Sequence, residues 1–219
     1  MDRTADRPGR GVSAGLAGDL PAPYRLPLLA LGFASLLLGL AAGVARLGWA
    51  FPLPAADLVL LHGPLMVSGF FGTVIGLERA VALGQRWAYL GPALTGLGGL
   101  ALIGGAPAEA GASLITLGSA ALVAASVAVY RTQRAMFTAT LLLGAAAWAG
   151  GNLLWTLGWP VWAVVPWWAG FLVLTIAGER LELSRLMPPS PRAQRLFGAG
   201  VVLLLATMAF AAEWTWLGR

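Results

Sequence analysis

The residues with the widest chemical range in this sequence are few, and they sit inside apolar runs at helical spacing. His62 is the only histidine, and Met66 follows it by four residues, so on a helix the imidazole and the thioether share one face. A neutral imidazole is the commonest metal ligand, and an ionisable side chain inside an apolar run is a functional candidate by default. His62 is therefore a candidate metal or haem ligand. The competing reading is a histidine satisfying a backbone carbonyl nearby, because Pro64 has no N–H and leaves the carbonyl of Leu60 without its usual partner. Asn152 falls at similar depth in a later run, where it can orient the imidazole, hold a ligand or make an interhelical hydrogen bond. His62, Met66 and Asn152 form the candidate cofactor site, with His62 as the metal ligand.

Two charged motifs form a second constellation, Glu78-Arg79 and Glu179-Arg180-Leu181-Glu182. They suit a proton or ion entry site, or an anion site built from the arginines. The structural alternative is cross-pairing, Glu78 with Arg180 and Glu179 with Arg79, since charges at membrane depth normally pair. Trp167 and Trp168 suit the wall of a flat apolar pocket, or simple space-filling. With no cysteine, thiolate metal sites, disulfides and thiol catalysis are excluded; with no lysine, so is a Schiff base. No phosphate-binding loop, catalytic triad or paired-carboxylate site is present.

The elements that must position these residues follow from composition. Hydrophobic residues make up 58% of the chain and charged residues 11%, which excludes an ordinary soluble domain. A spanning helix needs about 20 apolar residues, because the hydrocarbon layer is about 30 Å thick. Seven such runs occur, near 24–48, 57–84, 86–105, 110–130, 135–157, 160–186 and 195–212. Backbone groups find no partners in lipid, so the expectation is an all-α polytopic integral membrane protein of seven transmembrane helices in contact with the lipid bilayer. Residues 1–23 read as a disordered cytoplasmic tail, and 24–219 as the transmembrane domain.

The net charge of +5 comes from arginine alone. It marks topology and no nucleic-acid partner: with the N-terminus inside, all arginines but Arg46 and Arg219 fall on the cytoplasmic side. The positive-inside rule thus predicts an N-terminus in and a C-terminus out; the expected location is the bacterial cytoplasmic (inner) membrane. Trp49, Trp155, Trp159, Trp162, Trp214 and Trp216 then fall at the outer interface.

An internal repeat is also visible. GFFGTVIGLERA at 69–80 matches GFLVLTIAGERL at 170–181 without a gap, aligning Glu78-Arg79 with Glu179-Arg180. The expected unit is four helices, complete over 24–130 and partial over 135–212. The second copy stops after its third helix, so the chain reads as a truncated or reduced relative of a longer protein. A homo-oligomer or partner subunit would complete such a fold.

His62-Gly63-Pro64-Leu65-Met66-Val67-Ser68-Gly69-Phe70 resembles the second-helix motif of the NnrS family, membrane haem-copper proteins of the nitric-oxide response, which reads His-x-His-Glu-Met-x-x-Gly-Phe. His62, Met66, Gly69 and Phe70 match in register; Pro64 and Leu65 replace the second histidine and the glutamate. The segment is similar also to the second helix of haem-copper oxidase subunit I, whose His-Gly-x-x-Met carries a haem ligand. The resemblance implies a haem- or metal-binding protein linked to nitric-oxide or respiratory metabolism. A haem here would be five-coordinate, would borrow Met66 or Met208, or would lie between two subunits. The readings of a different class are a small-solute or ion transporter and an assembly subunit of a membrane complex.

Overall fold

The computed structural model describes residues 19–50, 52–54, 56–184 and 190–217, with side chains for all of these but 56, 57 and 211–217. Every element among them is helical. The first, α1 (Ala22–Arg46), starts with proline in its first turn, where the missing N–H has no partner to lose. The second crossing is a composite: a 3-10 turn (Ala56–Leu61), a π-helix (Pro64–Gly72) and α2 (Thr73–Leu83). Then come a 3-10 turn (Arg86–Tyr89), α3 (Leu90–Ile103), α4 (Ala108–Thr132), α5 (Met136–Thr156), α6 (Val161–Leu183) and α7 (Pro191–Leu217).

Six of these helices are long and apolar enough to cross a membrane. The third expected run departs from a uniform span: its α-helical part is 14 residues, and its first turn is 3-10. Neighbours in sequence pack as neighbours in space, α3 on α4, α4 on α5 and α5 on α6, while α1 lies against the composite helix and α3. α3 and α4 approach backbone to backbone, since a Cβ on Gly98 would lie 2.9 Å from the Gly111 carbonyl oxygen. The tight stop of α2 requires Gly84, whose φ of 65° suits glycine alone at low cost.

The helices carrying the two matched glutamate motifs are built differently. α6 is α-helical throughout Val161–Leu183, with Pro166 inside it, whereas the segment after Pro64 is a π-helix. The run from Pro64 to Glu78 is one residue longer than that from Pro166 to Glu179. Hydrogen bonding from i to i+5 takes up more chain per turn, which accommodates the difference.

Residues 1–18 of the expected tail lie outside the described residues; the following five are tied down. Asp19 accepts the Tyr89 hydroxyl at 2.6 Å and the Leu20 amide at 2.8 Å on one oxygen, and the Arg25 guanidinium at 2.6 Å on the other. The Tyr89 hydrogen bond, with those from Leu20 and Arg25, holds the Asp19 carboxyl below the usual carboxylate range. A depressed native value means that this contribution to stability is complete above the unfolded value of about 3.9 and is lost as pH falls through the native value. Asp19→Asn is expected to lower stability at neutral pH and to flatten the loss between about pH 5 and pH 2. A set of thermal melts across that range reads both; an unchanged acid limb would remove Asp19 from the account.

Candidate functional site

The face of α1 that receives the second crossing is made of small residues, Gly32, Ser35, Gly39 and Gly43, at intervals of three or four. Each seats one residue of the partner. A Cβ on Gly43 would meet His62 Nδ1 at 2.8 Å, one on Gly39 would meet Met66 Sδ at 3.0 Å, and one on Gly32 would meet the Thr73 side chain at 3.5 Å. Between them, a Cβ on Gly69 would meet the Ser35 hydroxyl at 2.7 Å. His62, Met66 and Thr73 therefore share one face, directed at α1.

His62 is half-buried, with Nδ1 2.7 Å from the Gly39 carbonyl oxygen. A carbonyl only accepts, so Nδ1 carries the proton, and in the neutral ring the lone pair is on Nε2. The imidazole does satisfy a backbone carbonyl, but across the helix interface on α1 instead of at Leu60 within its own segment. A ring N–H bonded to a backbone carbonyl is also the usual way of orienting a histidine that ligates through its other nitrogen. Beside this segment, a cavity of about 390 Å³ is lined by apolar Leu58, Leu60, Leu61 and Leu102 and by residues 105–108 of the α3–α4 turn.

Asn152 belongs to a different cluster. Fully buried on α5, its Oδ1 accepts the Ser68 hydroxyl at 3.1 Å and the Trp168 indole N–H at 2.9 Å. Ser68 in turn accepts the Trp148 indole N–H at 3.1 Å. Indole nitrogens only donate, which fixes the amide with oxygen toward Trp168. The structure thus joins His62 with Met66 through α1 and joins Asn152 to Ser68, Trp148 and Trp168; Asn152 does not orient the imidazole. Trp148 stacks on Phe171 at 5.0 Å and 16°, and Trp155 meets Trp168 edge-on at 5.8 Å. Trp168 is an anchored core residue, and Trp167 packs on Gly150 and Gly151 of α5. Met208 packs on Gly170 of α6, away from the His62 face.

The family model described as a domain of unknown function (DUF8744) matches residues 25–219, nearly all of the described bundle. The chain belongs to this family. No curated protein and no solved structure matches it. In this DUF8744 chain the matched region takes in His62, the Asn152 cluster and both glutamate motifs, whereas Asp19 lies before it.

The two glutamate motifs come together at the end of the bundle opposite His62: Glu179 lies within Coulombic reach of Glu78 and Arg79. The expected cross-pairing does not form. Among the described residues the ion pair at contact distance is Arg25 with Asp19, and neither Glu78 with Arg180 nor Glu179 with Arg79 closes to within 4 Å. Arg180 is exposed, so water competes for its guanidinium. No group of three metal-ligating side chains occurs among the described residues.

Sequence reasoning passed over Ser68 and Trp148. Their signal was present, since a hydroxyl and an indole N–H inside apolar runs each require a partner. Asp19 was hidden by the polar, glycine-rich stretch before it.

Proposed function

We propose that this chain is a multi-pass protein of the bacterial cytoplasmic membrane that holds a haem through His62, in the manner the NnrS-like motif implies. The observation carrying the reading is the Nδ1–H bond to the Gly39 carbonyl, which leaves Nε2 as a ligand of fixed tautomer on a glycine-walled seat. The donor set fits a haem better than a free metal ion. A porphyrin supplies four of the iron's ligands, so a single imidazole suffices, whereas one histidine and no cysteine cannot build a protein-only site of several soft ligands. Met66 is the thioether nearest along the same face, and when bound the haem would supply ligand-binding or electron-transfer chemistry of the nitric-oxide or respiratory kind.

In this reading seven segments cross. α3 with its 3-10 lead-in rises about 29 Å, close to the hydrocarbon thickness. The arginine distribution supports N-terminus in and C-terminus out, placing His62 near the outer face. The matched motifs at 69–80 and 170–181 support a four-helix repeat, with the π-helix absorbing the extra residue of the first copy.

Protein purified from haem-replete cells should show a Soret band that disappears in His62→Ala and survives in Asn152→Leu, whose side chain lies in the other cluster. A colourless, iron-free preparation would sink the reading.

One observation favours a second reading, an ion or small-solute transporter: Glu78 and Glu179 meet at the opposite end of the bundle beside Arg79, and among the described residues none of these three closes an ion pair to within 4 Å. Another favours an assembly subunit or homo-oligomer. Only 6% of the apolar window of α7 is buried, against 28–56% in the other spans, leaving Leu196, Val202 and Leu203 for lipid or a partner.

A further inference from the structure

At the His62 end of the bundle, on the side formed by α4, α5 and the turn between α5 and α6, a second pocket of about 200 Å³ opens among Ala108, Glu109, Ala112, Trp155, Gly158 and Trp159. A water molecule's share of liquid volume is about 30 Å³, so the space takes a small organic group. Its lining is chemically one-sided: one carboxylate, two indoles, and three small residues that leave the room. We propose that this pocket binds the ammonium group of a small organic cation of choline or ethanolamine size, with Glu109 as counter-charge and Trp155 and Trp159 as walls.

Each part of the lining bears on this. A carboxylate in the first turn of α4 is already favoured by the helix macrodipole, so Glu109 alone would argue nothing. The two tryptophans change that, because the negative face of an indole attracts a cation, quaternary ammonium most of all. Glu109 has no ion pair among the described residues, and its backbone carbonyl, not its carboxylate, takes the Ser113 hydroxyl. Trp155 is buried and meets Trp168 edge-on, and Trp168 is anchored on Asn152, so that side of the lining is fixed before any ligand arrives. Gly158, at a φ of 86°, keeps the turn tight and presents no side chain to the opening. None of these residues takes part in the His62 seat, so the site stands independently of haem binding.

The test is equilibrium binding of radiolabelled choline to the full chain in nanodiscs of phosphatidylglycerol. Saturable binding is expected, displaced by tetramethylammonium and not by 3,3-dimethylbutan-1-ol, which has choline's shape without its charge. Glu109→Gln should weaken binding at least tenfold with only a small fall in melting temperature, the macrodipole share of an exposed first-turn carboxylate, and Trp159→Leu should weaken it while Trp159→Phe largely retains it. Weaker choline binding in discs containing phosphatidylethanolamine would make the lipid headgroup the natural occupant; equal binding would assign a soluble cation. The proposal is overturned by the absence of saturable binding, by equal competition from the neutral alcohol, or by full affinity in Glu109→Gln.

Discussion

Gly72→Ala should destabilise the bundle by about 3 kcal/mol, at the upper end of what overpacking costs. The added Cβ would lie 2.5 Å from Trp148 Cη2 and closer still to Cζ2, with Thr95 Cγ2 at 3.1 Å on another side. The indole has nowhere to go. It is fully buried, bonded at Nε1 to Ser68 and stacked on Phe171, so relief requires the π-helix to move away from α5. The matched control is Gly198→Ala on α7, where nothing lies within 4 Å of the new methyl and the gain in helix propensity makes it neutral or slightly stabilising. Thermal unfolding in one detergent reads both. If Gly72→Ala melts with the wild type, the close approach of the π-helix to Trp148 is misplaced.

The second large effect is expected at Asn152. Asn152→Leu removes the acceptor for both Ser68 and Trp168 and leaves an indole N–H without a partner in a dry core. An orphaned buried donor costs about 1–3 kcal/mol in soluble proteins. Interhelical polar bonds in membrane bundles average nearer 0.6 kcal/mol, because the unfolded state in lipid finds partners of its own. Two bonds are lost, but Asn152 Nδ2 is buried without a hydrogen-bond partner and its removal offsets part of that cost, so about 1–2 kcal/mol is the expected loss. Ser68→Ala should cost a similar amount, since Trp168 keeps its acceptor but the Trp148 indole N–H loses its own. In a double-mutant cycle Ser68→Ala should cost less in the Asn152→Leu background than alone; strict additivity would show that the two are not one network.

What the sequence made legible was what composition and length dictate. Runs of about 20 apolar residues can only be helices in lipid, and six of those expected meet the length and hydropathy of a span. The spacing Gly39-x-x-x-Gly43 is in itself a sign of close helix approach, but it does not say what fills the gap. A missing Cβ shows where another chain can come near, whereas the imidazole that docks there is chosen by the register between two helices. For that reason the competing reading of His62 pointed to the carbonyl of Leu60 in its own segment, whereas the imidazole bonds to one on α1. The π-helix was illegible for a related reason. Pro64 signals a broken ladder, yet the shift to i→i+5 bonding depends on how Ser68, Gly69 and Gly72 settle against Ser35, Gly99 and Trp148. The cross-paired glutamates and arginines failed on distance: a shared end of the bundle follows from helix register, while closure to within 4 Å depends on side-chain reach and on how well water already serves an exposed guanidinium.

Every depth assigned to a side chain depends on how the chain is threaded, and the absence of native cysteine makes that directly measurable. Single cysteines at Gln133, in the exposed α4–α5 turn, and at Leu157, in the exposed turn after α5, should respond oppositely to a membrane-impermeant maleimide applied to spheroplasts. Leu157→Cys should label at once and Gln133→Cys only after lysis. Labelling of Gln133→Cys from outside would invert the bundle, move His62 to the cytoplasmic face and contradict the account.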